Sequence, residues 1–417
     1  VHDINVLITN IFLFITLYVQ VLLLYTFFTG KSVFGEEKSF KHGESTSPLK
    51  RFPIVTVIVP VWNEEKTLAG TVHSILALDY PKDKLDIIIV DDGSTDNTRQ
   101  VANTFKKHPQ VRVFSKTNGG KHTAVNFAIG KARGEFIGCL DADSFVDKKA
   151  LAEIMRCFED ERIMAVTPAI RVYDPKNVLQ KLQRVEYNIG IFLRKVFGSM
   201  NAIHVAPGPF SIFRKRVFDE LGLYRKAHNT EDMEMAMRMH NAHYPIANVY
   251  ISYVYTVTPD TVYGLYKQRL RWVYGFLANV IDYRHMLFNK NYGNLGMFTL
   301  PAAVFSIISA LYFTSLALVR FFSTLSNQVM QFETIGVVWH PPVLDWFFVN
   351  TGETTIVTYV LFCMMVFVVL TGKRLAEGDM KLGREMLYFL VLYGFLAPLW
   401  TFRAVFNIIF GKKTTWR

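Results

Sequence analysis

Cysteine and charge are both scarce in this chain. Three cysteines in 417 residues, Cys139, Cys157 and Cys363, are too few and too scattered for a disulfide framework or a cysteine metal site. Charged residues make up 19% of the chain, against roughly 25% in soluble domains. Apolar residues make up 51% and mean hydropathy is +0.20. That balance excludes disorder and argues against an ordinary cytosolic enzyme. No internal repeat or low-complexity tract is present. Acidic residues are outnumbered: 35 Asp and Glu against 46 Lys and Arg leave a net charge of +11. A basic excess suits nucleic acid, an anionic membrane surface or a phosphorylated substrate, and the apolar excess points to the membrane.

Residues 4–29 contain no charge at all and exceed the about 20 residues that cross a bilayer core. A cleaved leader would show a basic start and a shorter apolar core, so 1–30 is expected to be a transmembrane helix. No Lys or Arg precedes it, while Lys31, Lys38, Lys41, Lys50 and Arg51 come soon after it. The positive-inside rule then places the chain from Lys31 onward in the cytoplasm. Further apolar stretches lie at 295–319, 354–372 and 386–410, within a membrane region expected over 291–417. The segment 321–353 has no Lys or Arg and suits an external loop, with a turn at His340-Pro341-Pro342. The segment 373–385, with Lys373, Arg374, Lys381 and Arg384, suits the cytoplasm. Pro398 and Arg403 leave the last stretch either a span or a re-entrant or interfacial pair broken at the proline.

Between these lies a different texture. Residues 31–51 read as a polar linker, and 52–258 as a cytoplasmic domain. Strands are expected at 54–61, 85–92, 111–115 and 135–143, with helices at about 64–79, 95–108 and 119–133. Strand alternating with helix predicts an α/β fold with a mostly parallel sheet covered on both faces. Ligands in such sheets bind beyond the carboxyl ends of the strands, which is where Asn63, Glu64, Asp91, Asp92, Asp141 and Asp143 fall. The basic amphipathic stretches 175–200 and 260–288 suit either helices in a membrane interface or covering helices; 259–290 is set apart as an interface segment.

Several short constellations can carry chemistry. Asp141-Ala142-Asp143 follows a strand, and in extended chain residues i and i+2 share a face. Two converging carboxylates suit magnesium or manganese with substrate phosphates, although surface turns produce the same triplet. VDDGSTD (90–96) offers a second acidic cluster, or simply a turn in which Gly93 bends and Ser94 and Asp96 cap the next helix. PVWNEE (60–65) pairs a ring with polar groups and suits a nucleobase or a packed rim. TNGGKHTAVN (117–126) puts backbone amides and Lys121 before a helix, where they hold a phosphate or only shape a turn. NTEDMEMAMR (229–238) sets Glu231 and Asp232 at a helix start behind Thr230, a capping residue. QRLRW (268–272) places Gln268, Arg271 and Trp272 on neighbouring helix faces, suiting a diphosphate and a sugar ring or a membrane interface.

In this order the six segments resemble the membrane-embedded inverting glycosyltransferases of family 2. The closest likeness is to the processive poly-N-acetylglucosamine, hyaluronan, chitin and chitooligosaccharide synthases, over about residues 52–290. The resemblance implies a GT-A type nucleotide-sugar-binding domain with interfacial helices and α-helical transmembrane segments. It implies that Pro60, Trp62, Glu64 and Asp92 hold the uridine of a UDP-sugar, with Lys121 near the nucleotide. Asp141 and Asp143 would meet ribose and a Mn2+ or Mg2+ ion, Asp143 the more directly. Asp232 would be the catalytic base, Arg271 a neighbour of the leaving diphosphate, and Gln268 and Trp272 acceptor-binding. APGPFSIFR (206–214) resembles the loop shaping the acceptor pocket around Gly208, although the family more often has small residues where Pro207 and Pro209 stand. KKTTWR (412–417) resembles a gating loop, with Trp416 and Arg417 closing over UDP.

No Ser-His or Cys-His pair stands in these segments, which agrees with a single inverting displacement. The expected activity is extension of a β-linked polysaccharide from a UDP-sugar, with N-acetylglucosamine implied by likeness, and its passage across the membrane. Transfer of one sugar to a lipid acceptor is the alternative, and a scaffold that has lost its chemistry a third. The expected partners are the donor, a growing glycan or lipid, and the bilayer, in a multi-pass cell-membrane protein; nucleic acid is not among them, and oligomeric state is not encoded legibly.

Overall fold

Runs of valine and isoleucine with no helical period form the buried centre of the protein. The computed structural model describes residues 2–30, 49–335 and 351–412. Its strands are β1 (Val55–Val61), β2 (Leu85–Asp91), β3 (Val111–Ser115), β4 (Phe136–Cys139), β5 (Ser144–Val146), β6 (Ala165–Val172), β7 (Ile212–Arg214) and β8 (Ile246–Thr256). They pair in the order β3-β2-β1-β4-β7-β6-β8-β5. β1 pairs in parallel with β2 and β4, β2 with β3, and β6 with β8, while β7 is inserted antiparallel between β4 and β6 and β5 is an antiparallel edge strand on β8. Every residue of β1 and β2 is buried, as parallel strands covered on both faces require.

The helices divide between the two faces. α2 (Leu68–Leu76), α3 (Thr98–Thr104) and α5 (Ala150–Cys157) enclose one apolar cluster with Val57, Val59, Ile87 and Ile89. α4 (Lys121–Ile129), α7 (Lys215–Leu221) and α8 (Glu231–Asn241) enclose the other with Ile58, Ile88 and Val90. This is the expected α/β architecture. The chain winds outward from β1 through β2 to β3, then returns to place β4 on the other side of β1. A crevice opens at such a reversal, outside the carboxyl ends of the two strands. Those ends are Val61 and Cys139.

Two amphipathic helices underlie this domain. α6 (Val178–Ser199) starts with a capping box between Asn177 and Gln180. The hydroxyl of Thr261 caps α9 (Val262–Asp282) by accepting from Gly264 N. Four further helices are long and apolar enough to cross a membrane: α1 (His2–Thr29), α10 (Leu300–Ile335), α11 (Glu353–Glu377) and α12 (Arg384–Ile409). The end of α1 meets α6 through Phe27 and Phe192, ring centroids 5.0 Å apart. α11 approaches α6 at Gly372, beside the Asn188 backbone. At the far end Thr9 of α1 hydrogen-bonds Tyr312 of α10 at 2.9 Å, and Thr354 of α11 hydrogen-bonds Asn10 at 3.0 Å. These three helices therefore stand side by side.

α12 packs differently. Met386 lies on Val185 of α6, Glu385 pairs with Arg184 at 3.2 Å, and Ala404 and Ile408 lie against Tyr274 and Ala278 of α9. One face of α12 thus follows the amphipathic pair along its whole length.

Several expectations need correction. α10 runs on to Ile335, so 321–335 is helix where an external loop was expected; a stretch without Gly or Pro propagates a helix already nucleated by the apolar one. Pro398 does not break α12. The proline gives up one backbone hydrogen bond, and packing along α6 and α9 carries the helix through it. The soluble helices are shorter than their patterns, α2 beginning at Leu68 rather than 64. The linker over 31–48, the turn at His340-Pro341-Pro342 and the gating residues Trp416 and Arg417 lie outside the described residues.

Candidate active site

The ends of β1 and β2 are joined by their own polar side chains. Asn63 adopts a positive φ of 54°, and its Oδ1 accepts from Thr95 N at 2.8 Å. Its own N donates to Ser94 Oγ, Glu64 N donates to Thr98 Oγ1, and Asn97 N donates to Glu65 Oε2. Ser94 therefore braces the neighbouring turn and caps no helix, whereas Asp96 accepts from Thr98 N at the start of α3. Pro60 is buried within β1 with Val90 as its partner in register, so it shapes the strand end and offers no surface. Trp62 and Glu64 remain partly accessible at the crevice.

Asp92 is 3% exposed and fully engaged with the chain. It pairs with Lys116 at 2.7 Å and accepts from Gly119 N and Gly120 N. The amides of the glycine loop, expected to be open to a phosphate, are thus turned onto a carboxylate of their own chain. Lys116, which belongs to none of the six segments, is the clamp; its place directly after β3 was the available signal.

Asp141 and Asp143 follow β4 in a turn, closed by Ser144 N donating to Asp141 O at 3.0 Å. The extended conformation expected for this triplet is absent, yet the carboxylates still converge. Burial, then the charges of Asp141 and Glu64, push Asp143 up to about 7, although Ser144 donates to it at 3.1 Å. Burial also raises Glu64 above the usual carboxylate range, with Thr67 hydrogen-bonded to it and Asp141 and Asp96 repelling it.

Lys121 reaches into this acidic group from the start of α4. Its Nζ lies 2.5 Å from Asp141 and 3.8 Å from Glu231. Burial opposes its charge, but the two carboxylates outweigh burial and hold it protonated. Gly208 closes over them: a Cβ there would stand 2.7 Å from Lys121 Nζ and 3.2 Å from Asp141 Oδ2. A side chain at this point of the loop would displace the Lys121 ammonium from its place beside Asp141.

Glu231 and Asp232 open α8. Burial raises Asp232, Glu231 raises it further, and Lys121 and Arg271 act against them. Thr230 does not cap the helix with its side chain. Its hydroxyl instead donates to Ala227 O and accepts from Asn279 of α9. Gly275 lets α9 approach, since a Cβ there would collide with the Thr230 side chain. The two helices are thereby locked, and Arg271 Nη1 donates to Asn229 O at 3.0 Å beside Asp232.

The remaining acceptor-end residues are organised by Arg269. It is 3% exposed, pairs with Glu186 of α6 at 2.5 Å, and stacks 4.1 Å over Trp272. It also donates to Gln268 Oε1 at 2.5 Å, so that oxygen faces a cation of its own helix. Burial raises the Tyr187 hydroxyl above its ordinary value, with the charges of Arg269, Glu186, Arg194 and Asp143 acting on it as well. Spacing alone gave no sign of Arg269, Glu186 or Tyr187.

Among the described residues no group of three or more His, Cys, Asp or Glu side chains is arranged to hold a metal. The pair Asp141 and Asp143 nevertheless fits a divalent cation. Asp143 is destabilised by burial and like charge, the state a cation relieves, and Mg2+ commonly takes one or two carboxylates plus substrate phosphates.

Residues 56–222 match the model of glycosyl transferase family 2. Over 224 residues, 53% of the chain, the sequence is 33% identical to a poly-beta-1,6-N-acetyl-D-glucosamine synthase of Staphylococcus epidermidis. A protein of the same name from Staphylococcus aureus (strain COL) is 33% identical over 227 residues, again 53% of the chain. Each match takes in 54% of the relative, so the chain spans about half the length of the curated relatives it matches. Among solved structures, a mannosyltransferase from Pyrobaculum calidifontis, in complex with GDP-Man and Mn2+, superposes with a TM-score of 0.61 at 16% identity. That likeness covers 97% of this chain and 99% of the other. It concerns the fold, which is of the GT-A type.

Proposed function

We propose that this chain is a membrane-type family 2 glycosyltransferase, a reading supported by the match of residues 56–222 and by the likeness to the curated relatives, and that it transfers a sugar, N-acetylglucosamine, from its UDP carrier to extend a β-linked polysaccharide. One observation carries the reading: Lys121 reaches from Asp141 to Glu231 beneath Gly208, so the donor-side carboxylates and the start of α8 share one pocket. The named synthase activity of the curated relatives supports the donor and the product class.

In this reading the joined turns after β1 and β2 form a rigid rim for the nucleoside, with Trp62 and Glu64 facing it. Asp141 and Asp143 would hold Mn2+ or Mg2+, which would supply positive charge to the leaving diphosphate. Arg271 adds a fixed cation from the acceptor side. Asp232, its affinity for a proton raised by burial, accepts the proton of the attacking hydroxyl. Trp272, held flat by Arg269, presents a face to the acceptor ring. A single displacement then inverts an α-linked donor to a β-linked product, and the helices beside α6 and α9 give the product its way across the bilayer. The catalytic domain lies on the cytoplasmic side, where nucleotide sugars are made.

The test is incubation of purified protein with UDP-N-acetylglucosamine, Mn2+ and short β-linked N-acetylglucosamine oligomers. A ladder of longer products, lost in excess chelator, is expected. A single addition and nothing longer contradicts polymer extension and favours one-sugar transfer to a lipid; no UDP release contradicts the transferase reading itself.

A further inference from the structure

Arg194 is a half-buried cation that no carboxylate among the described residues answers. It lies on α6 two turns beyond Tyr187, and its Nε donates only to Gly190 O, one turn back, at 3.3 Å. Among the described residues no acidic side chain lies within ion-pair distance, and Tyr187 is the titratable group that favours its charge. Burial pushes the guanidinium down to about 10, so it stays charged at neutral pH. Arginines withdrawn from water are almost always paired, because an uncompensated charge there is costly. Arg269 shows the ordinary solution on the neighbouring helix: Glu186 holds it in a double contact.

A second group faces the same place unmatched. His204 follows α6 in the loop leading to Gly208, with its ring 5.8 Å from Phe197 and 5.8 Å from Phe276. Its Nδ1 is buried without a hydrogen-bond partner. Burial holds its pKa down to about 4, with His240 and Arg194 adding repulsion, so the ring is neutral and can carry its proton on Nδ1. The surroundings are apolar on the membrane side. Phe192, Val196, Met200 and Phe276 form one cluster with Leu22 and Leu23 of α1 and Ala303 and Ile307 of α10.

We propose that Arg194 and His204 form a seat for a phosphate carried on an apolar tail, the anchored end of a lipid-borne acceptor. Arg194 lies one turn before Phe197 on α6, and the Phe197 ring is 5.8 Å from His204, so two groups with donors to spare flank one ring where the soluble domain joins the apolar helices. An oxyanion there gains charge-assisted hydrogen bonds in a site largely stripped of water, and its tail continues the apolar cluster. Seven residues of helix put Arg194 about 10 Å from Tyr187, so the anion sits away from the reacting hydroxyl and positions the acceptor. That the anion belongs to the acceptor rests on the transferase reading; the seat itself does not.

The experiment titrates the full chain in detergent with decyl phosphate, with decanol as the uncharged control and methyl β-glucuronide as a carboxylate without a tail. UDP binding is followed in parallel. Decyl phosphate is expected to bind at least about tenfold tighter than decanol. Arg194→Gln should remove that preference, a loss of about 10- to 100-fold. Arg194→Lys should keep most of it, His204→Phe should weaken it by a smaller step, and UDP affinity should be unchanged in all three. Equal binding of decyl phosphate by the wild type and Arg194→Gln overturns the proposal, as does failure of Arg194→Lys to retain it. Arg194-dependent binding of the glucuronide with no preference for decyl phosphate overturns the lipid source. Failure of the wild type to bind UDP would instead strike the transferase reading and leave the phosphate seat standing.

Discussion

Asp92 accepts from a lysine and two backbone amides, so its charge organises the chain around it. Lys116 completes that arrangement by also donating to Thr117 O and Thr123 Oγ1, which ties the glycine loop to the start of α4 and hence to Lys121. Removing Lys116 leaves a buried carboxylate without its cation, a change that costs about 3–5 kcal/mol when nothing relaxes. Lys116→Ala should therefore weaken UDP binding about tenfold and lower Tm, although Lys116 is not assigned to the ligand. Unchanged UDP affinity in calorimetry would show that the loop does not depend on the clamp. At this scale the sequence was legible wherever an acidic or glycine residue stood after a strand. It was silent on direction: nothing in VDDGS or NGGK tells that the aspartate and the amides turn toward each other, because that depends on how two separate loops meet.

Helices were legible by their periods and less so by their ends. The amphipathic stretches appear as α6 and α9 close to the expected limits, since a basic face and an apolar face leave little choice of orientation. α10 and α12 differ from expectation because continuity of a helix depends on its neighbours as well as its residues. α12 has a span's length and composition, yet one face follows α6 and α9 from Met386 to Ile408. We predict that a helix bound lengthwise to two amphipathic helices shares their plane, with its end on the side of the catalytic domain. In sealed vesicles from an otherwise cysteine-free chain, Lys412→Cys should react with an impermeant maleimide from the same side as Lys226→Cys. Reaction of the two from opposite sides would make α12 a fourth span.

Across the whole molecule, the reversal of strand order between β1 and β4 opens the crevice where we propose that the donor binds, and the locking of α8 to α9 at Thr230, Gly275 and Asn279 builds the wall opposite it. The alternation of strands and helices made the α/β class readable, but the antiparallel strands β7 and β5 were not, since they have three residues each and carry no pattern. The division into two walls has a direct consequence: groups on one wall can be changed without disturbing binding on the other. Glu231 forms an ion pair with Lys121; Asp232 forms none among the described residues, although Lys121 and then Arg271 both act on it, so it stands where the two walls meet. The decisive measurement is UDP affinity and sugar-transfer rate, determined together, for Asp232→Asn. The account predicts a rate lowered by about 10²–10⁴ with UDP affinity nearly unchanged, and a clearly milder loss of rate for Glu231→Gln. Equal loss of rate in the two variants, or a fall in UDP affinity as large as the fall in rate for Asp232→Asn, would contradict it.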